Sequence, residues 1–379
     1  MTGTTSYHLN NWAARMVEST IARYPVETAL WHYEHGLVVK AILEAGLYYR
    51  EDSFLRFAET WVDRFIKPDG SIDTYQKEEF NLDQVNPGKL LFYFHNKTRE
   101  ARFQKSLELL RSQLHDQPLT KSNGFWHKKI YPYQMWLDGI YMSGPFLAEY
   151  ATVFSQPSDF DVIAHQILLI ESQTRDDQTG LLYHAWDEAH VQPWANPSNG
   201  QSPHFWGRAL GWFEIALIDI FDFFPVGHPS YPALADIFRD VANALLKYQH
   251  PHTGMWYQII NLGDRPGNYL ESSATCMLTY AFVKGVRKGL LPEEFLDAAR
   301  RAYRGILEYQ ISVDAQGSVN LANTCGSAGL GGIPYRDGSF DYYVGEKIIT
   351  NDFKGVGPFI LAAMEMEKVG PGIARDQSP

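Results

Sequence analysis

The chain has 379 residues and a formal net charge of −11, and aromatic residues make up 14% of it. A net negative charge of this size argues against nucleic acid or an anionic membrane as the partner, because both require a basic patch. No serine- and glycine-rich linker, charge block or low-complexity run divides the sequence. We therefore predict a single domain over residues 1–379.

The sequence also predicts the cellular compartment of the protein and the chemical state of its cysteines. The first residues lack a basic start followed by an apolar stretch, and no unbroken apolar run of about 18 residues occurs, so we expect a cytoplasmic protein with no membrane contact. Cys276 and Cys325 lack the spacing of a zinc site or of a disulfide framework. We expect both to be buried thiols, and we predict no metal and no cofactor.

Helical periodicity runs through almost the whole chain, because apolar residues recur at three- and four-residue spacing. The predicted helices cover residues 8–23, 31–49, 52–66, 82–96, 98–115, 136–153, 159–173, 205–224, 231–249, 270–289, 292–310 and 352–368. Strand-like alternation is confined to brief pieces after turn glycines. These glycines are Gly70, Gly124, Gly180, Gly254 and Gly317, with spacings of 54, 56, 74 and 63 residues. This loose period is typical of an array of helical hairpins.

Alternate predicted helices differ in composition. The even-numbered ones contain small and aromatic residues, as at Trp206-Gly207-Arg208, whereas the odd-numbered ones carry more charge. Because glycine within a helix costs roughly 1 kcal/mol relative to alanine, such glycines indicate backbones that approach closely around a common axis. We predict an all-α (α/α)6 barrel with the even-numbered helices inside. An open tetratricopeptide-type superhelix is the alternative, although its repeats are near ~34 residues and more regular.

In a closed ring the inner helices begin at the same end, so polar and aromatic residues near their starts should gather there. These residues are Trp31, His32, His35, Asp83, Trp136, Asp138, His204, Trp206, Arg208, Trp212, Glu271 and Asp352, joined by His127 and His184 from the extended pieces. Helix N-termini that face a pocket favour an anion. We therefore predict a pocket for a saccharide that bears a carboxylate.

Asp138 lies in an aromatic stretch, residues 131–151, close to Trp136 and Tyr141. A carboxylate in the first turn of a helix can be an ordinary cap. Capping does not require the surrounding aromatic side chains, whereas carbohydrate sites use them because the C–H face of a sugar stacks on an aromatic ring. We favour a general acid or base role for Asp138.

Two further positions have both a structural and a functional interpretation. Arg208 and Trp212 are four residues apart, on one face of a helix, and arginine on an apolar helix needs a partner. That partner is either a helix-start carboxylate or a substrate carboxylate held by two hydrogen bonds beside a stacking indole. His184 shares a strand face with Trp186, and a satisfied loop histidine is as good an account of it as a catalytic one.

The remaining candidates are less specific. Asp83 is explained equally well as a helix cap or as a second acidic residue of the site. His32 and His35 flank Glu34 but have no third ligand at metal spacing, so no metal site is predicted. The glycine-rich segment 326–332 lacks the lysine and hydroxyl residue of a phosphate loop, and we interpret it as a flexible loop at the mouth of the barrel.

Several motifs, in order and at matching spacing, resemble glycoside hydrolase family 105, the unsaturated rhamnogalacturonyl hydrolases. The motifs are Asn81-Leu82-Asp83 with Asn86-Pro87-Gly88-Lys89, Trp136-Leu137-Asp138-Gly139 with Tyr141-Met142, residues 180–187, Phe205-Trp206-Gly207-Arg208 with Gly211-Trp212, Cys325-Gly326, Gly345 and Asn351-Asp352. The resemblance spans nearly the whole chain. Where relatives often carry Gly-Asn, this chain has Ala209-Leu210, which leaves the details of the substrate open.

The resemblance implies an (α/α)6 barrel that needs no metal and acts inside the cell on unsaturated disaccharides left by pectin lyases. It implies that Asp138 is the general acid and base, that Asp83 is the second acidic residue, and that His184, Arg208 and Trp212 contact the substrate. We add Trp136, His127 and Tyr141 to the expected substrate contacts. The implied reaction begins with protonation of the C4=C5 double bond of the uronate, not of the glycosidic oxygen.

Three alternatives remain at this stage. Unsaturated glucuronyl hydrolases share the fold and the chemistry but act on glycosaminoglycan fragments. The N-acylglucosamine epimerases use paired histidines on the same barrel, for which His32 with His35 or His184 with His190 are candidates. A sugar-binding or scaffold protein without catalysis is the third. For the substrate we expect a small acidic oligosaccharide, and for the assembly a monomer or homodimer.

Overall fold

The computed structural model describes residues 11–24 and 26–370. Its α-helices are α1 (Trp12–Arg23), α2 (Tyr33–Tyr49), α3 (Asp52–Phe65), α4 (Lys89–Thr98), α5 (Ala101–Asp116), α6 (Leu137–Val153), α7 (Ser158–Thr174), α8 (Gly207–Ile220), α9 (Tyr231–Leu246), α10 (Ser272–Arg287), α11 (Glu294–Tyr309), α12 (Phe340–Gly345) and α13 (Phe353–Lys368). Its strands are β1 (Gln134–Trp136), β2 (Ala185–Asp187), β3 (Ile311–Val313), β4 (Val319–Leu321), β5 (Thr324–Cys325) and β6 (Ile348–Ile349). Each strand pairs antiparallel with one other: β1 with β2, β3 with β4, and β5 with β6.

Six helices form a closed inner ring. Helix α2 contacts α4, and the contacts continue through α6, α8, α10 and α13 back to α2. Helices α1, α3, α5, α7, α9 and α11 lie outside this ring, and each contacts an inner helix next to it in the chain. The predicted (α/α)6 barrel, with the even-numbered predicted helices inside, is confirmed. Among the described residues, no helix combines the length and the apolar character needed to cross a membrane.

Burial explains why the inner and outer helices differ in composition. In the inner helix α8, every residue except Asp219 is buried, so the helix is apolar on all sides. In the outer helix α11 the buried residues form one stripe, which includes Phe295, Ala302 and Ile306, and the rest faces water. A helix in contact with neighbours all round must be apolar all round, which is why charge distinguishes the two sets.

Glycines bring the inner helices close together, as predicted. A Cβ atom added at Gly36 of α2 would lie 2.7 Å from the Cα of Pro87. One added at Gly211 of α8 would lie 2.9 Å from the sulfur of Met277 on α10, and one at Gly357 would lie 2.8 Å from Cγ of Leu37. At Gly36 the contact is with backbone, so this position requires glycine, whereas at Gly211 and Gly357 the side chains of Met277 and Leu37 would have to shift.

Residues on either side of the turn glycines form short antiparallel bridges after the outer helices. Ile66 bridges Ile72, Leu119 bridges Phe125, and Arg175 bridges Leu182. Around the last turn glycine the bridge extends into the β3–β4 hairpin. These links carry the chain from the end of each outer helix back to the start of the next inner helix.

Two details of the predicted helices are wrong. The segment 82–96 begins with two 3₁₀ turns, Leu82–Gln84 and Asn86–Gly88, and the α-helix starts at Lys89. Pro87 has no N–H group and fixes its own φ, which favours a short turn there over a regular α-helix. Helix α12 was not predicted, because six residues are too few for a periodic pattern. Residues 8–10 of the first predicted helix lie outside the described residues.

Candidate active site

The β1–β2 ribbon brings Asp138 and His184 together. Trp136, the last residue of β1, pairs with Ala185, and the backbone N–H of Leu137 donates to the carbonyl of His184 at 3.0 Å. Asp138 follows in the first turn of α6, with its Oδ2 3.2 Å from Nε2 of His184. Both atoms are buried, and neither makes a hydrogen bond of good geometry among residues 11–24 and 26–370. The helix has no side-chain cap, so capping does not account for Asp138.

A tyrosine orients His184 from the other side. The imidazole is fully buried, and its Nδ1 lies 2.7 Å from the hydroxyl of Tyr343 on α12. Burial raises the pKa of Tyr343 well above its ordinary value, so the phenol keeps its proton. When this phenol donates to Nδ1, the imidazole hydrogen is on Nε2 and faces Asp138. Gln258 holds Tyr343 in place by donating from Nε2 to its carbonyl at 3.0 Å.

Aromatic rings enclose the acid. Trp136 stacks between His127, at 4.7 Å between centroids and 9° between planes, and Tyr131, at 4.8 Å and 21°. Its edge meets the ring of His184 at 5.4 Å. Gly139 permits this arrangement, because an added Cβ would lie 3.2 Å from Nδ1 of His127. Asp138 is therefore bounded by two histidine rings and an indole.

The glycine-rich segment 326–332, predicted to be a flexible loop at the mouth, folds against this aromatic wall. Leu330 packs in one apolar cluster with Trp136, Ala185 and Trp194. Further along the chain, Arg336 donates from Nη2 to the hydroxyl of Tyr131 at 2.8 Å and to the carbonyl of Leu330 at 3.2 Å. These contacts hold the segment beside the site.

Asp83 lies in a separate charged group next to the aromatic wall. Its carboxylate is 2.5 Å from Nζ of Lys128 and 3.5 Å from Nε2 of both His32 and His127. Asn81, not Asp83, caps the turn, since its side chain accepts from the N–H of Asp83 at 3.0 Å. Burial alone would raise the pKa of Asp83, but Lys128 and the two imidazoles outweigh it and hold the pKa far below the ordinary value. Asp83 is therefore ionised at neutral pH.

His127 lies 3.5 Å from Asp83 and is uncharged at neutral pH. Burial lowers its pKa to about 4, although Asp83 and Asp138 both act to raise it. Its Nδ1 has no hydrogen-bond partner among the described residues. A neutral imidazole with one unused nitrogen is a ready hydrogen-bonding group for a polar ligand.

Arg208 places a cation in the same end of the barrel. It is 1% exposed, lies over the ring of Trp206 at 4.8 Å and donates from Nη1 to the carbonyl of Cys325. Burial opposes its charge, but the Cys325 thiol, Glu271 and Tyr33 raise its pKa above the ordinary value. Its Nε has no partner in the part of the chain that the structure describes.

The structural alternative for Arg208 was an ion pair with a helix-start carboxylate. Glu271, the N-cap of α10, is the relevant carboxylate, and its oxygens accept from Ala274 N, Ser273 Oγ and Cys325 N at 2.7–2.9 Å. Among the described residues Arg208 makes no salt bridge within 4.0 Å. Arg208 therefore retains donors that could bind a carboxylate.

Two predicted substrate contacts lie deeper in the barrel. Trp212 is 1% exposed and stacks on Tyr141 at 4.9 Å, with its edge toward Tyr33 at 5.9 Å. Tyr141 has Nζ of Lys89 3.7 Å from its ring centroid and lines a cavity at the opposite end of the barrel. The structure therefore does not bring Tyr141 to the Asp138 group, and Trp212 lies beneath Tyr33.

Other residues predicted near the mouth have structural partners. Trp31 donates from its indole to the carbonyl of Gln84 at 2.8 Å and stacks on Trp61, so it belongs to the core. His35 bonds to the hydroxyl of Tyr24 and lies on the outer side of α2. The site also contains three residues that the sequence analysis did not assign: Tyr33, Lys128 and Tyr343.

Comparison with known proteins identifies the family. The sequence signature of Glycosyl Hydrolase Family 88 matches residues 12–370. The solved structure of a family 105 glycoside hydrolase from C. acetobutylicum superposes with a TM-score of 0.92 at 43% identity, covering 94% of this chain and 99% of that one. The chain belongs to glycoside hydrolase family 105.

Two curated proteins are also similar to this family 105 chain. The 24.9 kDa protein in the picA locus of Rhizobium radiobacter is 36% identical over 230 residues, which is 59% of this chain and 97% of that protein. Unsaturated rhamnogalacturonyl hydrolase YesR of Bacillus subtilis is 26% identical over 259 residues, which is 67% of this chain and 70% of that protein. The predicted family is confirmed, and the family 105 chain is a glycoside hydrolase.

Proposed function

We propose that this family 105 enzyme releases the nonreducing 4,5-unsaturated galacturonyl residue from rhamnogalacturonan-type disaccharides by hydrating its double bond. The similarity to YesR supports this substrate class. The different surroundings of the two carboxyl groups support the mechanism. Lys128 holds Asp83 ionised, whereas Asp138 has no lysine or arginine within 4.0 Å among the described residues and lies 3.2 Å from the His184 ring.

The first step of the proposed reaction is protonation at carbon. The substrate's C4=C5 bond is conjugated with its carboxylate and joined to the ring oxygen as a vinyl ether. A proton from Asp138 adds to C4, and the ring oxygen stabilises the cation left at C5. Asp83 is unsuited to donate this proton because it stays ionised at neutral pH. Its negative charge beside His32 and His127 is available to stabilise the cation instead.

The second step is addition of water. The Asp138 carboxylate accepts a proton from a water molecule while the water oxygen bonds to C5. This gives a hemiketal and restores the carboxylic acid of Asp138. The hemiketal opens to a ketone at C5, and the hemiacetal that this leaves at C1 expels the neighbouring sugar. In ordinary glycosidases two carboxyl groups act at the anomeric carbon. Here one carboxyl group serves both steps, with His184 beside it to fix its orientation.

Arg208 is the proposed partner of the substrate carboxylate. Its unused donors and its place above the Trp206 ring suit a charge-assisted contact with a planar anion. The stacked rings of His127, Trp136 and Tyr131 border the proposed position of the sugar ring. The proposed substrate is thus a small acidic oligosaccharide, taken up by a monomer or homodimer in the cytoplasm.

Turnover in heavy water tests the chemistry. The proposal requires one deuterium at C4 of the released uronate, detected by NMR, together with loss of the ultraviolet absorbance of the conjugated double bond. A saturated disaccharide of the same sugars should not be cleaved. An unlabelled C4 with cleavage of the saturated substrate would instead mean that the carboxyl groups act at the anomeric carbon.

A panel of unsaturated disaccharides tests the substrate class. It pairs the unsaturated uronate with rhamnose in one arm and with N-acetylated hexosamines in the other. A higher kcat/KM for the rhamnose arm supports the rhamnogalacturonyl proposal. A higher kcat/KM for the hexosamine arm would assign the enzyme to glycosaminoglycan fragments.

A further inference from the structure

A cavity of about 290 Å³ lies at the opposite end of the barrel from Asp138. The late turns of the inner helices line it, through Lys40 of α2, Glu149 of α6, Asp219 of α8, Lys284 of α10 and Glu365 of α13. Glu44 and Lys368 at its rim are 40% and 34% exposed, so solvent reaches the cavity. Its volume is just below the range for small-molecule pockets, about 300–1,000 Å³.

Most charges of this cavity neutralise one another. Lys284 lies 2.7 Å from Asp219 and 2.6 Å from Asp222. Glu365 lies 2.9 Å from Arg287 and 2.7 Å from Lys368. Lys40 and Glu44 form a further pair. These paired groups line the cavity, and their charges need no ligand for balance.

Three lining groups remain without a hydrogen-bond partner among residues 11–24 and 26–370. They are the ammonium of Lys89, the hydroxyl of Tyr141 and the carboxyl of Glu149. Lys89 is only 6% exposed, and its ammonium lies over the ring of Tyr141, 3.7 Å from the centroid. Burial disfavours the charge of this ammonium, and the nearby carboxylates of Asp219 and Glu149 offset the effect only in part. Lys89 is therefore the group in this cavity that most requires an anionic partner.

The electrostatic state of these groups indicates what a ligand must supply. Burial lowers the pKa of Lys89 to about 7 and raises the pKa of Glu149 to about 7. A ligand carboxylate next to Lys89 would restore its full charge. Glu149, half protonated near neutrality, can both donate and accept a hydrogen bond. A hydroxyl group complements both of its forms, whereas an ammonium would complement only the ionised form.

We propose that this cavity binds a small hydroxylated carboxylate of monosaccharide size, with its carboxylate on Lys89 and its hydroxyl groups on Glu149 and Tyr141. The site is separate from the reaction at Asp138, and it does not depend on the substrate proposed above. Tyr141 stacks on Trp212, which contacts Tyr33 beneath the catalytic end. The two ends of the barrel therefore share one aromatic partition.

Isothermal titration calorimetry with D-glucuronate as the probe tests this site, with D-glucose as the neutral control of the same ring. Three variants separate the two ends: Lys89→Met and Glu149→Gln in the new cavity, and Arg208→Met at the catalytic end. We expect D-glucuronate binding to persist in Arg208→Met. We expect it to weaken about 10- to 150-fold in Lys89→Met, the range for loss of a charge-assisted contact, and less in Glu149→Gln.

D-glucose should bind more weakly than D-glucuronate by a similar factor, because it lacks the carboxylate. Glu149→Gln keeps the test informative if the methionine variant unfolds, since this change is nearly isosteric. Binding that disappears in Arg208→Met and is unchanged in both cavity variants would overturn the proposal. Equal binding of the two sugars, or no binding at millimolar D-glucuronate, would overturn it as well.

Discussion

Removing the hydroxyl of Tyr343 tests whether His184 is held for catalysis. Tyr343→Phe leaves the ring in place but takes away the oxygen 2.7 Å from Nδ1 of a fully buried imidazole. A buried polar atom left without a partner costs about 1–3 kcal/mol. Each 1.36 kcal/mol of transition-state stabilisation corresponds to about a tenfold change in rate. Loss of this free energy from the transition state therefore predicts a fall in kcat/KM of about 5- to 150-fold.

Tyr342→Phe is the matched control. Tyr342 lies beside Tyr343 on α12, but its hydroxyl accepts from the N–H of Gly329, at 3.0 Å, and not from the site. Both variants lose hydroxyl hydrogen bonds of the same helix, so the control accounts for the loss of thermal stability. Activity should fall in Tyr343→Phe alone, measured as loss of ultraviolet absorbance from an unsaturated disaccharide.

A double-mutant cycle completes the test. In a His184→Ala background, Tyr343→Phe should cause no further loss of kcat/KM, because the group that the hydroxyl orients is gone. Equal kcat/KM values for Tyr343→Phe and Tyr342→Phe would refute the reasoning. So would a full additional loss in the His184→Ala background.

Three further predictions concern the charged groups. Asp138→Asn should lower kcat by at least about 10²–10⁴-fold, typical of a lost general acid, with an unchanged circular dichroism spectrum; near-normal turnover would remove Asp138 from the mechanism. Arg208→Ala should weaken binding of the unsaturated uronate by about 1.5–3 kcal/mol in calorimetry and that of a neutral sugar far less, and Arg208→Lys should recover only part of it; equal losses would make Arg208 a structural residue. The lowered pKa of Asp83 stabilises the fold above its unfolded pKa of about 3.9, and this stabilisation is lost as pH falls further. Lys128→Met should therefore lower stability at pH 7 by about 3–5 kcal/mol and reduce the change in melting temperature between pH 5 and pH 3, whereas parallel pH profiles would contradict the pairing.

The sequence predicts the barrel well because each of its helices is long enough to show a period. Charge and glycine content separate outer helices from inner ones, since only the inner helices are surrounded by protein. The same reasoning gathers Asp138, Asp83 and Arg208 at one end. It fails at the 3₁₀ turns around Pro87, where a proline starts a regular helix later than the apolar pattern suggests.

The helical period does not predict how deep a residue lies along the axis of the barrel. Tyr141 lies three residues after Asp138, on nearly the same face, but the rise of about 1.5 Å per residue places it roughly 4.5 Å further into the barrel. Trp212 is displaced by roughly 6 Å from Arg208 for the same reason. Both residues consequently lie at the partition, beneath the catalytic end.

Residues that orient others are harder to predict, because their role depends on contacts between distant segments. Tyr343 reaches His184 across 159 positions of sequence. Lys128 meets Asp83 only once the segment after the second turn glycine lies against the 3₁₀ turn. Tyr343 and Lys128 have aromatic and basic neighbours in the sequence. The sequence pattern does not indicate which of these neighbours contacts the site.

The seam at which α13 meets α2 affects how the protein is made. Lys354 of α13 lies 2.9 Å from Glu34, and the hydroxyl of Tyr49 donates to Glu367 at 2.7 Å. A ribosome that adds about 5–20 residues per second completes α13 roughly 15–65 s after α2 has been synthesised. During that time one apolar side of α2 has no partner. Molecular chaperones that shield apolar surface should therefore associate with nascent chains that contain α2 but lack α13, and release them once the ring closes.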